Sequence, residues 1–416
     1  MNHNEQAKKV QLGINIFVAV FLMSFITRVV KPCIGMAYPE QSDIAVNNLI
    51  TLPSIYGMIA AFLIGPLALK FSKVKLAAAA LVCMALHCLI FFLAGLLGLP
   101  FWTLNVASVF AGVAIGSYIP LLNSILSDHM EADQRGNAIA KYNVWINIGG
   151  LIITYAAGWL ASGNDGANWY MAYLLGLASV IGLAIFLTIM KKIDADTPSI
   201  ETTAPKQEET GAPVKKPGIK DIPPKVFAWI VLMGIVHAFF YVTQNAFNVN
   251  ASSYIIEEYS LGTSVQAGTA TSLVRFVLIP ATALFPFFKK YLKNWMIPIG
   301  YFTMAIGLFL MMNMHSLGSA YACAILCGVS TALVHSEFYS KATLYVPLNL
   351  VPVASSIAAC LVNVGNGFSA YVLAFFSGLL GGGMNNSFKA GIIISVIIAI
   401  VAILMYVVKK PSYAKQ

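Results

Sequence analysis

Ala267 to Phe288 reads AGTATSLVRFVLIPATALFPFF, an apolar run with one cation, Arg275, near its centre. A run of about 20 apolar residues is what a helix needs to cross the hydrocarbon core of a bilayer. An arginine halfway along such a helix costs on the order of 3 kcal/mol on insertion scales, so it faces a partner, a water-filled cavity or a ligand. Taking the whole span as residues 263–288, Arg275 is roughly 20 Å of helix rise from either end, too deep to reach the interface by extending its side chain.

The rest of the chain repeats the pattern. Hydrophobic residues make up 59% of the sequence and charged residues 10%, against roughly a quarter charged in soluble domains. Twelve apolar runs are long enough to span, near residues 12–38, 44–68, 76–97, 101–127, 137–161, 168–190, 226–254, 263–288, 295–313, 318–346, 353–379 and 388–408. The expected fold is therefore an all-α integral membrane protein with the lipid bilayer as its solvent.

Lysine and arginine distribution sets the expected orientation. Lys70, Lys73, Lys75, Arg135, the group from Lys191 to Lys225, and Lys289, Lys290 and Lys293 share one side with the basic residues near both ends of the chain. The opposite connections carry Glu40, Asp43, Asp165, Glu257 and Glu258. This asymmetry predicts a multi-pass protein of the cell membrane with both termini cytoplasmic. Basic loops beside anionic lipid account for the net charge of +9, and no nucleic-acid partner is expected. No cleavable signal is evident at the first run. The six cysteines lie within or beside apolar runs without a CxxC pair, so neither a metal nor a cofactor is expected.

Two halves are visible. Residues 194–224 are rich in Pro, Thr, Glu and Lys and read as a linker between them. Shifted by 216 positions, Gly112-Val113 falls on Gly328-Val329 and Asn147-Ile148-Gly149 on Asn363-Val364-Gly365; at 220, Lys70-x-x-Lys73 falls on Lys290-x-x-Lys293. The expected organisation is a six-helix bundle over 1–192, a cytoplasmic linker over 193–225 and a second six-helix bundle over 226–416.

With six spans, a charged linker and six more spans, the chain resembles the major facilitator superfamily over nearly its whole length. The local signature is the 2–3 connection, Gly65-Pro66-Leu67-Ala68-Leu69-Lys70-Phe71-Ser72-Lys73-Val74-Lys75, similar to the family's loop of glycine, small-residue turn, acid and several bases. Leu69 stands where the family commonly has aspartate. The resemblance implies a secondary transporter with two pseudo-symmetric bundles and a contact between Lys70 and Asp128 at the end of span 4. Arg135-Gly136 is similar to the family's 4–5 connection. In having an arginine midway along span 8 the chain is similar to oxalate–formate exchangers. In having one in span 1 it is similar to sugar-phosphate and glutamate carriers.

The intramembrane charges point to the ligand. Arg28, Lys31, Arg275 and Lys341 are basic, whereas Glu337 is the one clear carboxylate within the spans. Glu337 and Lys341 are four residues apart on one helix and can pair. Two or three cations then lack an internal anion, and a small organic anion, which the arginine fork suits, completes the balance. Expected substrate contacts are Arg28, Lys31 and Arg275, with Gln244, Asn245, Tyr56, Asn147 and Asn363 as cavity polar groups; interhelical hydrogen bonding is the alternative for the asparagines. Glu337 admits two roles, a gating pair with Lys341 or a proton site, and His335 can also titrate. Asp128, Lys70 and Arg135 complete the expected coupling and gating set.

Other classes fit less well. No GxxxxGK[ST] loop is present for ATP-driven pumping. Span 5 lacks the Gly-Pro step of multidrug proton antiporters, which leaves a proton-coupled drug or metabolite exporter as the runner-up. Neither a His-Glu-x-x-His helix nor a Gly-x-Ser-x-Gly elbow is present, so no enzyme is expected. A non-transporting sensor or receptor is the alternative from another class. The carrier is expected to act as a monomer, with protons as a candidate coupling ion.

Overall fold

A backbone in hydrocarbon has to satisfy its own N–H and C=O groups, and for a chain of long apolar runs that means helices. The computed structural model describes residues 3–68, 71–130, 132–194, 223–344 and 351–407, all helices and their connections. The first span is interrupted: α1 (His3–Ala19) and α2 (Ile26–Ala37) are joined through a 3₁₀ turn, Leu22–Phe25. Then come α3 (Asp43–Ala68), α4 (Lys73–Leu97), α5 (Trp102–His129) and α6 (Ala132–Ala161). A 3₁₀ segment, Trp169–Gly176, leads into α7 (Leu177–Asp194). The second half holds α8 (Pro224–Ser253), α9 (Ser264–Ala283), the short α10 (Phe285–Leu292) and α11 (Met296–Met314). It ends with α12 (Leu317–Leu344), α13 (Val351–Leu379) and α14 (Met384–Val407). Most of the expected linker lies outside the described residues.

Eleven helical segments among the described residues are long and apolar enough to cross a membrane, one fewer than the twelve runs predicted. The one missing is α9, whose Gln266, Thr269, Thr271, Ser272 and Arg275 dilute its apolar character. Its 20 residues still reach about 30 Å, the thickness of the hydrocarbon core.

The internal repeat is visible in the packing. Gly112 on α5 lies against α3, where an added Cβ would stand 2.7 Å from the carbonyl of Pro53. Gly328 on α12 lies against α9, where an added Cβ would stand 2.7 Å from the carbonyl of Val274. Gly149 on α6 is packed on the Ala19 carbonyl, and Gly365 on α13 on the Ala238 carbonyl of α8. All four glycines, matched by the 216 shift, allow backbone-to-backbone contacts that a Cβ would prevent. Within the first half α1 packs on α6 and α7, and α5 on α3 and α4. Within the second, α8 packs on α13 and α14, and α12 on α9 and α11. The halves meet where α6 packs on α9 and α3 on α13.

Candidate functional site: an arginine cleft between the halves

The break in the first span creates the site. Close packing of Gly149 on Ala19 and a hydrogen bond from Ser179 Oγ to the Val20 carbonyl, 3.0 Å, accompany the 3₁₀ turn and take up an oxygen there. Phe25 closes that turn, and Arg28 follows one helical turn later on α2. Across the interface, α9 starts with a capping box in which Gln266 Oε1 accepts from the Thr263 backbone N–H at 2.8 Å. The helix ends just before Pro286, and Arg275 is near its middle.

These elements line a tight cleft with about 10 Å³ of room, roughly that of one water molecule, bordered by Phe25, Arg28, Thr154, Gln244, Asn248, Thr271, Val274 and Arg275. Both guanidiniums address one ring. The central carbon of Arg28 is 3.9 Å from the Phe25 centroid and that of Arg275 is 4.5 Å from it. Arg275 Nη1 also donates to Asn147 Oδ1 on α6 at 3.0 Å. Among the described residues no carboxylate lies within ion-pair distance of either arginine. Gln244 Nε2 donates to Thr331 Oγ1 at 2.7 Å. The hydroxyls of Thr154 and Thr271 are turned back onto helix carbonyls, which leaves the guanidiniums as the dominant charged donors.

The other expected residues fall into separate groups. Lys31 is turned away from the cleft and donates to Asn47 Oδ1 at 2.9 Å. Asn245 bonds Asn366 and Ser369 at 2.7 and 2.8 Å, the interhelical alternative. Tyr56 packs against Gly112, and Asn363 is half-buried on α13; neither lines the cleft. Glu337 meets Lys341 at 3.0 Å, as its spacing predicts, and also Lys289 at 3.7 Å. Sequence spacing gave no signal for that second lysine, which comes from the connection after α9. His335 Nδ1 lies 3.3 Å from His237 Nε2 and 3.4 Å from the Tyr241 hydroxyl. The Asp128 carboxylate holds Lys73, with 2.7 Å to both oxygens, while its expected contact with Lys70 falls on a residue outside the described ones. The side chain of Arg135 lies outside them as well.

Phe25 and Thr271 line the cleft without having been singled out by sequence. The available signal for Phe25 was its i, i+3 spacing to Arg28, which places ring and cation on one face.

The described polar contacts between the halves run from the level of Arg275 toward the side away from the termini. They are Arg275 with Asn147, Asn366 with Ser54, Asn48 with Tyr371 at 2.8 Å, and Cys33 with Ser264 at 3.6 Å. Gly158 and Gly268 also meet there. On the termini side the described ion pairs, Lys73–Asp128 and Lys289–Glu337–Lys341, each stay within one half.

A duplicated helical bundle with a polar cleft between its halves is the architecture of an alternating-access membrane carrier. The chain belongs to the Major Facilitator Superfamily, whose family model matches residues 16–370; it is a multi-pass secondary transporter and not an enzyme. Among solved structures it is similar to a bacterial homolog of the human lysosomal transporter Spinster, with 15% identity over 96% of each chain and a TM-score of 0.73. It is also similar to the xylose transporter XylE from E. coli, at 16% identity over 99% of this chain and 98% of that one, TM-score 0.72. The peptide transporter POT matches at 12% identity over 98% of each chain, TM-score 0.72. At such identities the likeness establishes the fold and leaves the substrate to the site. No curated protein matches the sequence.

Proposed function

We propose that this transporter carries a small organic anion, a carboxylate being the reference case, held between Arg28 of the first half and Arg275 of the second. The observation that supports it is the convergence of two guanidiniums from different halves on one cleft that has no carboxylate among its described lining. An anion there offsets their mutual repulsion and draws the halves together, which is how a ligand biases an alternating carrier. The arginine midway along span 8, shared with oxalate–formate exchangers, supports the same class.

The protein works in the plasma membrane as a monomer, with both termini cytoplasmic, in line with its basic loops. Coupling is by exchange for a second anion or by symport with protons. Glu337 is engaged by two lysines and serves as a gating pair, so the proton branch falls to the contacting His237 and His335.

Uptake into proteoliposomes tests both parts. Arg275→Gln abolishes organic-anion uptake; near-normal uptake of every transported anion by that variant sinks the anion site. An imposed pH gradient drives accumulation in the symport mode, whereas only preloading with a second anion drives it in the exchange mode.

A further inference from the structure

Phe25 stands out because a single uncharged ring is contacted by both cations of the cleft. Its face carries the negative lobe of the aromatic quadrupole, and a guanidinium within about 6 Å of the centroid is attracted to it. The contacts at 3.9 and 4.5 Å satisfy that condition from two different halves of the protein. The backbone under the ring is the second observation: Phe25 ends the 3₁₀ turn that interrupts the first span, and such interruptions within a longer helix often mark hinges.

We propose that Phe25 is a positioning residue that holds Arg28 and Arg275 together in the cleft and releases them to an anionic ligand that draws them off the ring. The ring offers each cation a weak, non-ionic partner. A carboxylate or phosphate oxygen offers a stronger, charge-assisted one, so the arginines transfer from ring to ligand instead of leaving a pre-formed ion pair. The ring therefore keeps the two cations together without competing as an internal carboxylate would. The transfer to ligand rests on the anion reading above; the holding of the arginines does not.

The test is a series of full-length proteins with phenylalanine at position 25 bearing one, two or three ring fluorines, alongside Phe25→Leu. Fluorination weakens the quadrupole while nearly preserving size, so a merely space-filling ring is insensitive to it. Labelling of Arg28 and Arg275 by phenylglyoxal, read by peptide mass spectrometry, is expected to accelerate with each fluorine. The total gain is roughly two- to thirty-fold, the range corresponding to one cation–π contact. Equal labelling rates across the series overturn the proposal. Protection of the same arginines by succinate or inorganic phosphate is measured in parallel. Accelerating labels without protection remove the anion reading and keep the role of Phe25. Protection with flat labelling rates removes the role of Phe25 alone.

Discussion

If both arginines hold one anion, their contributions to binding are coupled, and a double-mutant cycle of Arg28→Gln and Arg275→Gln measures that coupling. Being 3.9 and 4.5 Å from a common centroid, the two guanidinium carbons can be no more than about 8.4 Å apart. At an effective dielectric constant of about 20, unit charges at that separation repel by at least about 2 kcal/mol. A bound anion offsets this repulsion and adds an attraction to each cation. Removing one partner of a desolvated charge pair costs about 2–5 kcal/mol of binding, or roughly 30- to 4,000-fold in affinity. The second substitution then costs a different amount from the first, because the ligand has already lost its bridging position; a coupling energy above about 0.5 kcal/mol is expected. The assay is calorimetric titration of the purified transporter with whichever organic anion gives the largest thermal shift in the parent protein. Arg275→Lys keeps the charge but loses the fork that reaches Asn147. It is expected to fall between parent and Arg275→Gln, about tenfold or more weaker than the parent if a charged hydrogen bond is lost. Strictly additive single substitutions would mean that the two arginines serve different ligands, and the shared site would be refuted.

Three further outcomes follow from particular contacts. Asn147→Asp places a carboxylate 3.0 Å from Arg275, so a tethered anion raises thermal stability and lowers anion affinity at least tenfold; unchanged affinity would detach Arg275 from the ligand. Glu337→Gln leaves Lys341 buried beside a neutral amide and lowers unfolding stability by up to about 3–5 kcal/mol, less whatever the half-exposed Lys289 regains from water. Glu337→Leu with Lys341→Leu recovers most of that loss, while stability untouched by Glu337→Gln but loss of pH-driven accumulation would instead make Glu337 the proton site. Gly158→Val pushes α6 from Ser264 and Gly268 on the side away from the termini. Labelling of Cys33, which bonds Ser264 there, by a membrane-impermeant maleimide then accelerates several-fold; an unaltered rate would mean that this contact does not close the carrier.

What could be read in the sequence is what depends on local composition. Span length follows from about 1.5 Å of rise per residue, the depth of Arg275 from its place in one run, and the Glu337–Lys341 pair from its i, i+4 spacing. The matched Gly112 and Gly328, and Gly149 and Gly365, revealed the duplication because backbone contact between helices leaves no room for a side chain. Features fixed by distant partners were not readable. The turn at Leu22–Phe25 coincides with contacts from Gly149 and Ser179, on two other helices, and no residue within the turn announces it. Lys289 joins Glu337 from another connection, and Lys31 finds Asn47 instead of the cleft.

The same division explains why charge counting reached the cleft but missed its organisation. A tally of cations against carboxylates treats Phe25 as one more apolar residue, since its net charge is zero. Its quadrupole becomes relevant only when the turn brings the ring within reach of Arg28 and the packing of α6 on α9 brings Arg275 to the same ring. An internal carboxylate in that position would neutralise the arginines permanently, and the ligand would have to displace a full ion pair. An aromatic face is strong enough to keep two cations in one place and weak enough to release them to an anion. A carrier that binds and lets go at every cycle requires that balance, since each stabilisation of the empty cleft is lost again when the ligand enters.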